Sequence, residues 1–294
     1  MNSSAISVTV VIPVLNGAST LRVQLAALDQ QIDAPPFRVI VVDNGSEDDS
    51  GGIARTFPAT NYEVTVVSEG TRGINSARNA GVTAAPDGAV LLCDADDKVH
   101  SGWVHAMVAG LVPGTWVGGA LDYRHLNDAA TRLLWGAPNR SQYAAIHPYS
   151  DNTYGCNCGF WRSMWMTLGG FDTRISGTGG DETEFFQRAY ASGFQRVDVP
   201  AAIVSYRLRK GLRGMLRQRY RQGRNVVQLR SLPGGTLLPG SVGWRDTLLG
   251  LCKRIIVAPW YLWSAPRRYV LLASMASHLG RLRGLVARAF RRQR

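Results

Sequence analysis

The stretch "LLCDADDKV" (91–99) runs an apolar segment directly into Asp94, Asp96 and Asp97. Three carboxylates in four positions repel one another, and folding alone gives no reason to gather them. Oxygen ligands at this spacing suit a hard divalent cation, Mg2+ or Mn2+, which shares its remaining positions with phosphate and water. The plain alternative is a turn of solvated acids. Three further groups could do chemistry. Asp43 closes the apolar run "FRVIVVD", where a carboxylate can accept hydrogen bonds from a nucleobase or ribose, although Asp-Asn-Gly-Ser is also ordinary turn chemistry. "GTRGINSARNAG" (70–81) brings Arg72, Arg78 and Asn79 to the start of a helical pattern, and arginine forks there suit a diphosphate. "DETEFFQRAYASG" (181–193) places Asp181, Glu182 and Glu184 in a first helical turn, with Glu184 and Arg188 spaced for an i,i+4 pair.

These groups need elements to hold them. "SVTVVIP" (7–13), "FRVIVVD" (37–43), "EVTVVS" (63–68) and "AVLLCD" (89–94) read as buried strands, and helical segments lie between them, including 18–31 and 74–85. The alternation predicts βαβ units and a mostly parallel sheet covered on both faces. Ligands then gather beyond the carboxyl ends of the strands. The loops "PVLNG", "DNGSEDDS", "EGTRG" and "DADD" all fall at that edge and should converge on one crevice. No GxGxxG follows the first strand and no GxxxxGK[ST] occurs, which weakens dinucleotide and P-loop readings.

The 294 residues are 45% hydrophobic and 18% charged, enough for a large core and unlike a disordered chain. Cys93, Cys156, Cys158 and Cys252 form no CxxC pair, so a reduced, cytoplasmic setting is expected and a zinc site at Cys156 and Cys158 is not. The first residues lack the basic start and cleavage site of a signal peptide, and no apolar run of about 18 residues suggests a membrane span. The charge is uneven. Residues 205–294 hold 20 Lys and Arg against one acid, Asp246, whereas residues 1–204 hold 13 against 20. Such a split suggests two jobs.

Taken together, "VVIPVLNG", "VVDNGSEDDS", "INSARNAG", "LLCDADD", "GGFD" and "GGDETEFFQRA" resemble, in order and rough spacing, the family 2 glycosyltransferases over residues 1–200. The resemblance implies an α/β GT-A fold. Residues 1–100 would form the nucleotide-sugar half, 101–205 the acceptor half, and 206–294 an Arg-rich helical extension. It also implies inverting transfer of a sugar from a nucleotide diphosphate to a glycan or lipid-linked acceptor hydroxyl. By position, Pro13, Leu15 and Asn16 would line the base and ribose pocket, Asp43 and Asn44 would hold the nucleobase region, and Arg72 and Arg78 would lie near the base or the diphosphate. Asp94, Ala95 and Asp96 form the DxD, with Asp96 the metal ligand, Asp94 nearer the ribose, and Mn2+ or Mg2+ as cofactor. Family members usually carry Glu-Asp where this chain has Asp181-Glu182. Alignment by position makes Glu182 the base and alignment by residue type makes it Asp181. Asn157, Trp161 and Arg162 would approach the acceptor.

"RKGLRGMLRQRYRQGRN" (209–225) resembles the QxxRW segment of processive synthases only in part: Gln218 and Arg221 fit, but Gln222 stands at the Trp position. A Gly/Pro stretch, 231–243, precedes two helical stripes. One is Leu248, Leu251, Cys252 and Ile255; the other is Leu272, Met275, Leu279, Leu282 and Val286. With Trp260, Tyr261, Trp263 and flanking arginines, residues 244–294 suggest an interfacial helix pair on anionic lipid, hence a peripheral position at the cytoplasmic face; the alternative is a helix pair packed on the catalytic domain or on a partner chain, with its arginines in water. Two rival functions are a nucleotidyltransferase, which would want a Gly-rich loop with Lys after the first strand, and a degenerate, non-catalytic sugar-nucleotide scaffold. No nucleic-acid motif accompanies the arginines.

Overall fold

The computed structural model describes residues 6–137, 146–147, 150–151, 153–175, 180–232 and 242–291. Its centre is a sheet whose first strand, β1 (Val8–Val14), is buried along its whole length. β-Branched residues on both faces suit a strand covered on both sides. The register puts β2 (Phe37–Asp43) and β4 (Ala89–Cys93) on either side of β1, both parallel to it, and β3 (Glu63–Ser68) outside β2. Helices α1 (Leu21–Asp29), α2 (Ser50–Arg55) and α3 (Ile74–Ala84) make the crossovers. The parallel half-sheet expected from the alternation is therefore present, with boundaries within a few residues of those read from the sequence.

Beyond β4 the pattern changes. β5 (Lys98–Val99), α4 (Trp103–Gly110), β6 (Thr115–Asp122), α5 (Ala129–Trp135), and the separate short pair β7 (Ile146–His147) and β8 (Ser150–Asp151) lead to β9 (Asn157–Trp161). β9 lies between β4 and β6 and runs antiparallel to both. After α6 (Arg162–Leu168) and α7 (Asp181–Ala191), β10 (Gln195–Ser205) pairs parallel with β6 and antiparallel with β5. The strand order is β3-β2-β1-β4-β9-β6-β10-β5. Val10, Ile12 and Val14 face one layer with Leu25, Trp103 and Met107, while Val11 faces the other with Val82, Phe160 and Phe186. The two layers follow from the period-two alternation of a strand.

The basic tail folds into α8 (Gly211–Leu229), α9 (Trp244–Tyr261) and α10 (Ala265–Arg291). α10 crosses α8 at backbone contact. A Cβ on Gly280 would lie 2.0 Å from the Tyr220 carbonyl oxygen, and one on Gly223 would lie 1.9 Å from that of Ser277. Leu271 and Leu285 of α10 are buried, but neither belongs to the second stripe read from the sequence, of which Leu272, Met275, Leu282 and Val286 are half-buried and Leu279 is exposed. The first, on α9, stays exposed. Most of the 231–243 break lies outside the described residues. None of the described helices is long and apolar enough to cross a membrane.

Candidate active site

The predicted polar loops do meet at the carboxyl edge of the sheet. The turn after β1 is tied to the turn after β2. Asn16, at φ 54°, donates its N–H to Ser46 Oγ and accepts from the Glu47 N–H. The Gly17 and Ala18 N–H groups donate to Ser50 Oγ and Asp48 Oδ2. Asp43 accepts from the Ser46 N–H at 2.9 Å, which fixes its carboxylate at the end of β2. Pro13 is buried beneath this turn, whereas Leu15 is exposed at its tip. Arg72 reaches over the rim to Glu47 at 3.0 Å and to the Gly45 carbonyl. Asn44 differs from the expectation of a ligand-facing group. It is buried, donates to the Glu69 and Thr71 carbonyls, and accepts from the Gly73 N–H. Its amide is spent bracing the crevice wall.

The acid turn follows β4. Asp94 and Asp96 are about one-third exposed, Ala95 is buried between them, and Asp97 is buried behind. Arg78, itself buried, stands 3.6 Å from Asp94. It fits because position 155 is glycine: a Cβ there would lie 2.5 Å from the Arg78 guanidinium. Arg209 pairs with Asp96 at 3.1 Å. Arg207 donates its backbone N–H to Asp97 Oδ1 and its side-chain Nε–H to the Asp96 carbonyl. Burial pushes the Asp97 carboxyl well above the usual carboxylate range, with the Asp96 and Asp94 charges adding to it. Burial likewise pushes the Cys156 thiol up, helped by Asp97, Asp94 and Glu182. Ligand atoms of Asp94, Asp97 and Cys156 lie within 4.8 Å of one another.

The residues fit a hard divalent cation. Asp97 Oδ2 is buried with no partner in hydrogen-bond geometry. Asp94, partly exposed, offers an oxygen within 4.8 Å of the Asp97 carboxylate, and carboxylate oxygens are the ligands Mg2+ and Mn2+ prefer; the Cys156 sulfur completes this group, while Asp96, on the same turn, is held by Arg209.

Glu182 lies half-buried in the first turn of α7, whose N-cap is Gly180 at φ 98°. The side chain of Asp181 lies outside the described residues. Glu184, by contrast, is fully buried and bound to Arg188 at 2.7 Å; Arg188 also donates to the Gly170 carbonyl. That pair anchors the helix, as its spacing predicts, and leaves Glu182 as the described acid of this turn nearest the crevice.

Trp161 and Arg162 miss the acceptor side for one topological reason, and Asn157 misses it by burial. Because β9 is antiparallel to β4, Asn157 sits opposite Cys93 but Trp161 sits opposite Ala89, at the far edge of the sheet. Trp161 donates to the Val112 carbonyl and Arg162 pairs with Asp87 at 2.7 Å, both away from the acid turn. Asn157 is at the right edge but fully buried. It donates to the Ala120 and Ala202 carbonyls and accepts from the Trp103 indole. Conversely, Arg207 and Cys156 were missed. The signal for Arg207 was present in "IVSYRLR", where arginines directly follow the last β-rich run and so emerge at the same edge.

A nucleotide-type α/β half-sheet, an antiparallel insertion and a strand-end acid turn define the GT-A architecture, and the comparisons agree. The family model "Glycosyl transferase family 2" matches residues 9–168, and the chain belongs to that family. Glycosyltransferase AglE of Haloferax volcanii is 32% identical over 133 residues, 43% of each chain, so the chain aligns with less than half of that relative. Hyaluronan synthase of Pasteurella multocida is 30% identical over 237 residues, 66% of this chain and 24% of the synthase. Among solved structures, the mannosyltransferase PcManGT from Pyrobaculum calidifontis, in complex with GDP-Man and Mn2+, superposes with TM-score 0.61 at 21% identity. The match covers 94% of this chain and 88% of that one. Glucosyl-3-phosphoglycerate synthase from Mycobacterium tuberculosis, with Mn2+ and UDP, gives 0.53 at 19% identity, covering 78% and 81%. These structural likenesses concern the fold.

Proposed function

We propose that the protein is an inverting glycosyltransferase that moves a sugar from a nucleoside-diphosphate donor to an acceptor hydroxyl. The observation that carries the reading is the meeting of Asp43, Arg78 and the 94–97 acids at one sheet edge, with Glu182 half-buried in the first turn of α7. The printed ligands of the structural neighbours, GDP-Man in one and UDP in the other, accord with it.

In this reading Pro13, Leu15, Asn16 and Asp43 form the base and ribose end. Asp96, with Asp94, would hold Mn2+ or Mg2+. A cation bound there would stabilise negative charge on the departing diphosphate. Arg72 and Arg78 border the diphosphate path, and Arg209 can exchange Asp96 for that group. Glu182 removes the proton of the acceptor hydroxyl as its oxygen attacks the anomeric carbon; the C–O bond to the diphosphate breaks and the configuration inverts. Asp181 is the alternative base. The test is release of nucleoside diphosphate from a panel of UDP-, GDP- and dTDP-sugars with Mn2+. Turnover of one donor, abolished in Asp96→Asn, supports the reading; donor binding without turnover across acceptors would favour the degenerate scaffold.

The extension supports a peripheral site of action. Along α9 and the following turn, Leu248, Leu249, Ile255, Ile256, Trp260 and Trp263 are 46–87% exposed when counted with Trp244. Apart from Trp244, they share one helical face with exposed Arg245 at its start, and exposed Arg267 and Arg268 follow it. A contiguous apolar face of this kind marks an interaction surface, and its basic ends complement an anionic bilayer. A lipid-linked acceptor is consistent with that placement. Co-sedimentation with phosphatidylglycerol vesicles, lost in the Trp260→Ala/Trp263→Ala double variant and absent with phosphatidylcholine alone, would support it. Self-association through this face without vesicle binding would overturn it.

A further inference from the structure

A second cluster of ligand side chains stands at the outer end of the same sheet edge. His100 follows β5, Asp122 ends β6, and His125 lies one turn beyond. Ligand atoms of the three lie within 4.8 Å of one another. The two imidazoles meet edge to face with centroids 5.6 Å apart. His125 Nδ1 and Asp122 Oδ2 share a hydrogen bond, and His100 Nε2 lies 3.0 Å from Ser205 Oγ, at the end of β10. Arg124 binds Asp122 chiefly through Oδ1, at 2.9 Å, with Oδ2 at 3.5 Å. The other carboxylate oxygen therefore remains on the histidine side. Beside the cluster is a cavity of about 280 Å3, bordered by His100, His125, Ser205 and Lys98.

We propose that His100, Asp122 and His125 form a binding site for a borderline transition-metal ion, Zn2+ in the first place, separate from the acid turn. The donor set differs in kind. Two imidazole nitrogens and one carboxylate oxygen select Zn2+, Co2+ or Ni2+, whereas the carboxylates of the acid turn select Mg2+ or Mn2+. Three protein ligands leave a position open toward the cavity, where water or a small anion beside Lys98 can complete the sphere. Arg124 then acts as the outer partner that orients the ligating carboxylate. The ion's structural effect follows from the topology: it ties the β5 segment to the end of β6, next to Ser205 on β10. Arg207, which holds the acid turn, is two residues further along. The ion is thus a clamp on the frame of the crevice.

The test uses chelator-treated full-length protein without nucleotide, titrated with Co2+ and read by visible absorption, with Zn2+ competition and thermal stability measured in parallel. One equivalent should bind with nitrogen-type ligand-field bands and raise the melting temperature. Asp96→Asn should keep both effects, which separates this site from the acid turn. His125→Ala, a change at an exposed side chain, and His100→Ala should each weaken binding about tenfold or more. Failure of Co2+ and Zn2+ to bind the wild-type protein, or binding equal in both histidine variants, would overturn the proposal.

Discussion

At the scale of single residues, neighbouring acids take opposite roles according to burial and partner. Glu184 is sealed against Arg188, whereas Glu182, two positions earlier, is half-buried toward the crevice. Glu182→Gln is therefore expected to lower turnover about 10²–10⁴-fold while sparing donor affinity. Steady-state rates and a donor-binding isotherm check this, and the same loss in Asp181→Asn with Glu182→Gln near wild type would move the base one position. Asp29 shows a structural carboxylate at work. Burial raises its pKa, but N–H donors of Asn61 and Thr60 and the Thr60 hydroxyl outweigh it, so the net shift is downward. With the folded value below the unfolded one, its stabilisation is complete above the ordinary carboxylate pKa of about 4 and is lost as pH falls through the folded value. Asp29→Asn should lower the urea midpoint at pH 7, and the gap to wild type should close toward pH 2–3. A gap independent of pH would contradict this sign.

At the scale of elements, legibility depended on how local each contact is. The run into Asp94, Asp96 and Asp97 was readable because a buried strand and its polar end adjoin in sequence. The partners of that turn were not, since Arg207 meets Asp97 across 110 positions. Trp161 and Arg162 were misplaced because direction within a sheet is not written in a strand's residues. An apolar five-residue run looks alike parallel or antiparallel, and reversing β9 sends its end to the opposite edge. The tail poses the same problem. An amphipathic stripe does not say whether lipid or protein covers it: α10 meets α8 through glycines outside its apolar stripe, and Leu279 of that stripe stays exposed, as does much of α9. Gly280 was the unread sign of that crossing. Gly280→Val would drive a side chain into the Tyr220 backbone, and overpacking of this kind costs about 1–3 kcal/mol. Thermal unfolding should show a melting temperature lowered by several degrees; an unchanged value would mean that the two helices do not meet this closely.

At the scale of the whole molecule, the charge split between residues 1–204 and 205–294 is bridged as well as divided. Arg207 and Arg209, the first cations of the basic segment, sit on the acid turn, and most of the other described ones lie along the helices. The acidic front and basic back meet at the crevice, where a diphosphate with its cation would add charge of both signs. The central claim is that this crevice binds a nucleoside diphosphate through a divalent ion on Asp96. Calorimetric titration of UDP and GDP, with and without Mn2+, into the wild-type protein and Asp96→Asn tests it most directly. The account predicts Mn2+-dependent binding of one nucleotide in the wild type and its loss in the variant. Equal affinity with and without the ion, or in both proteins, would contradict it.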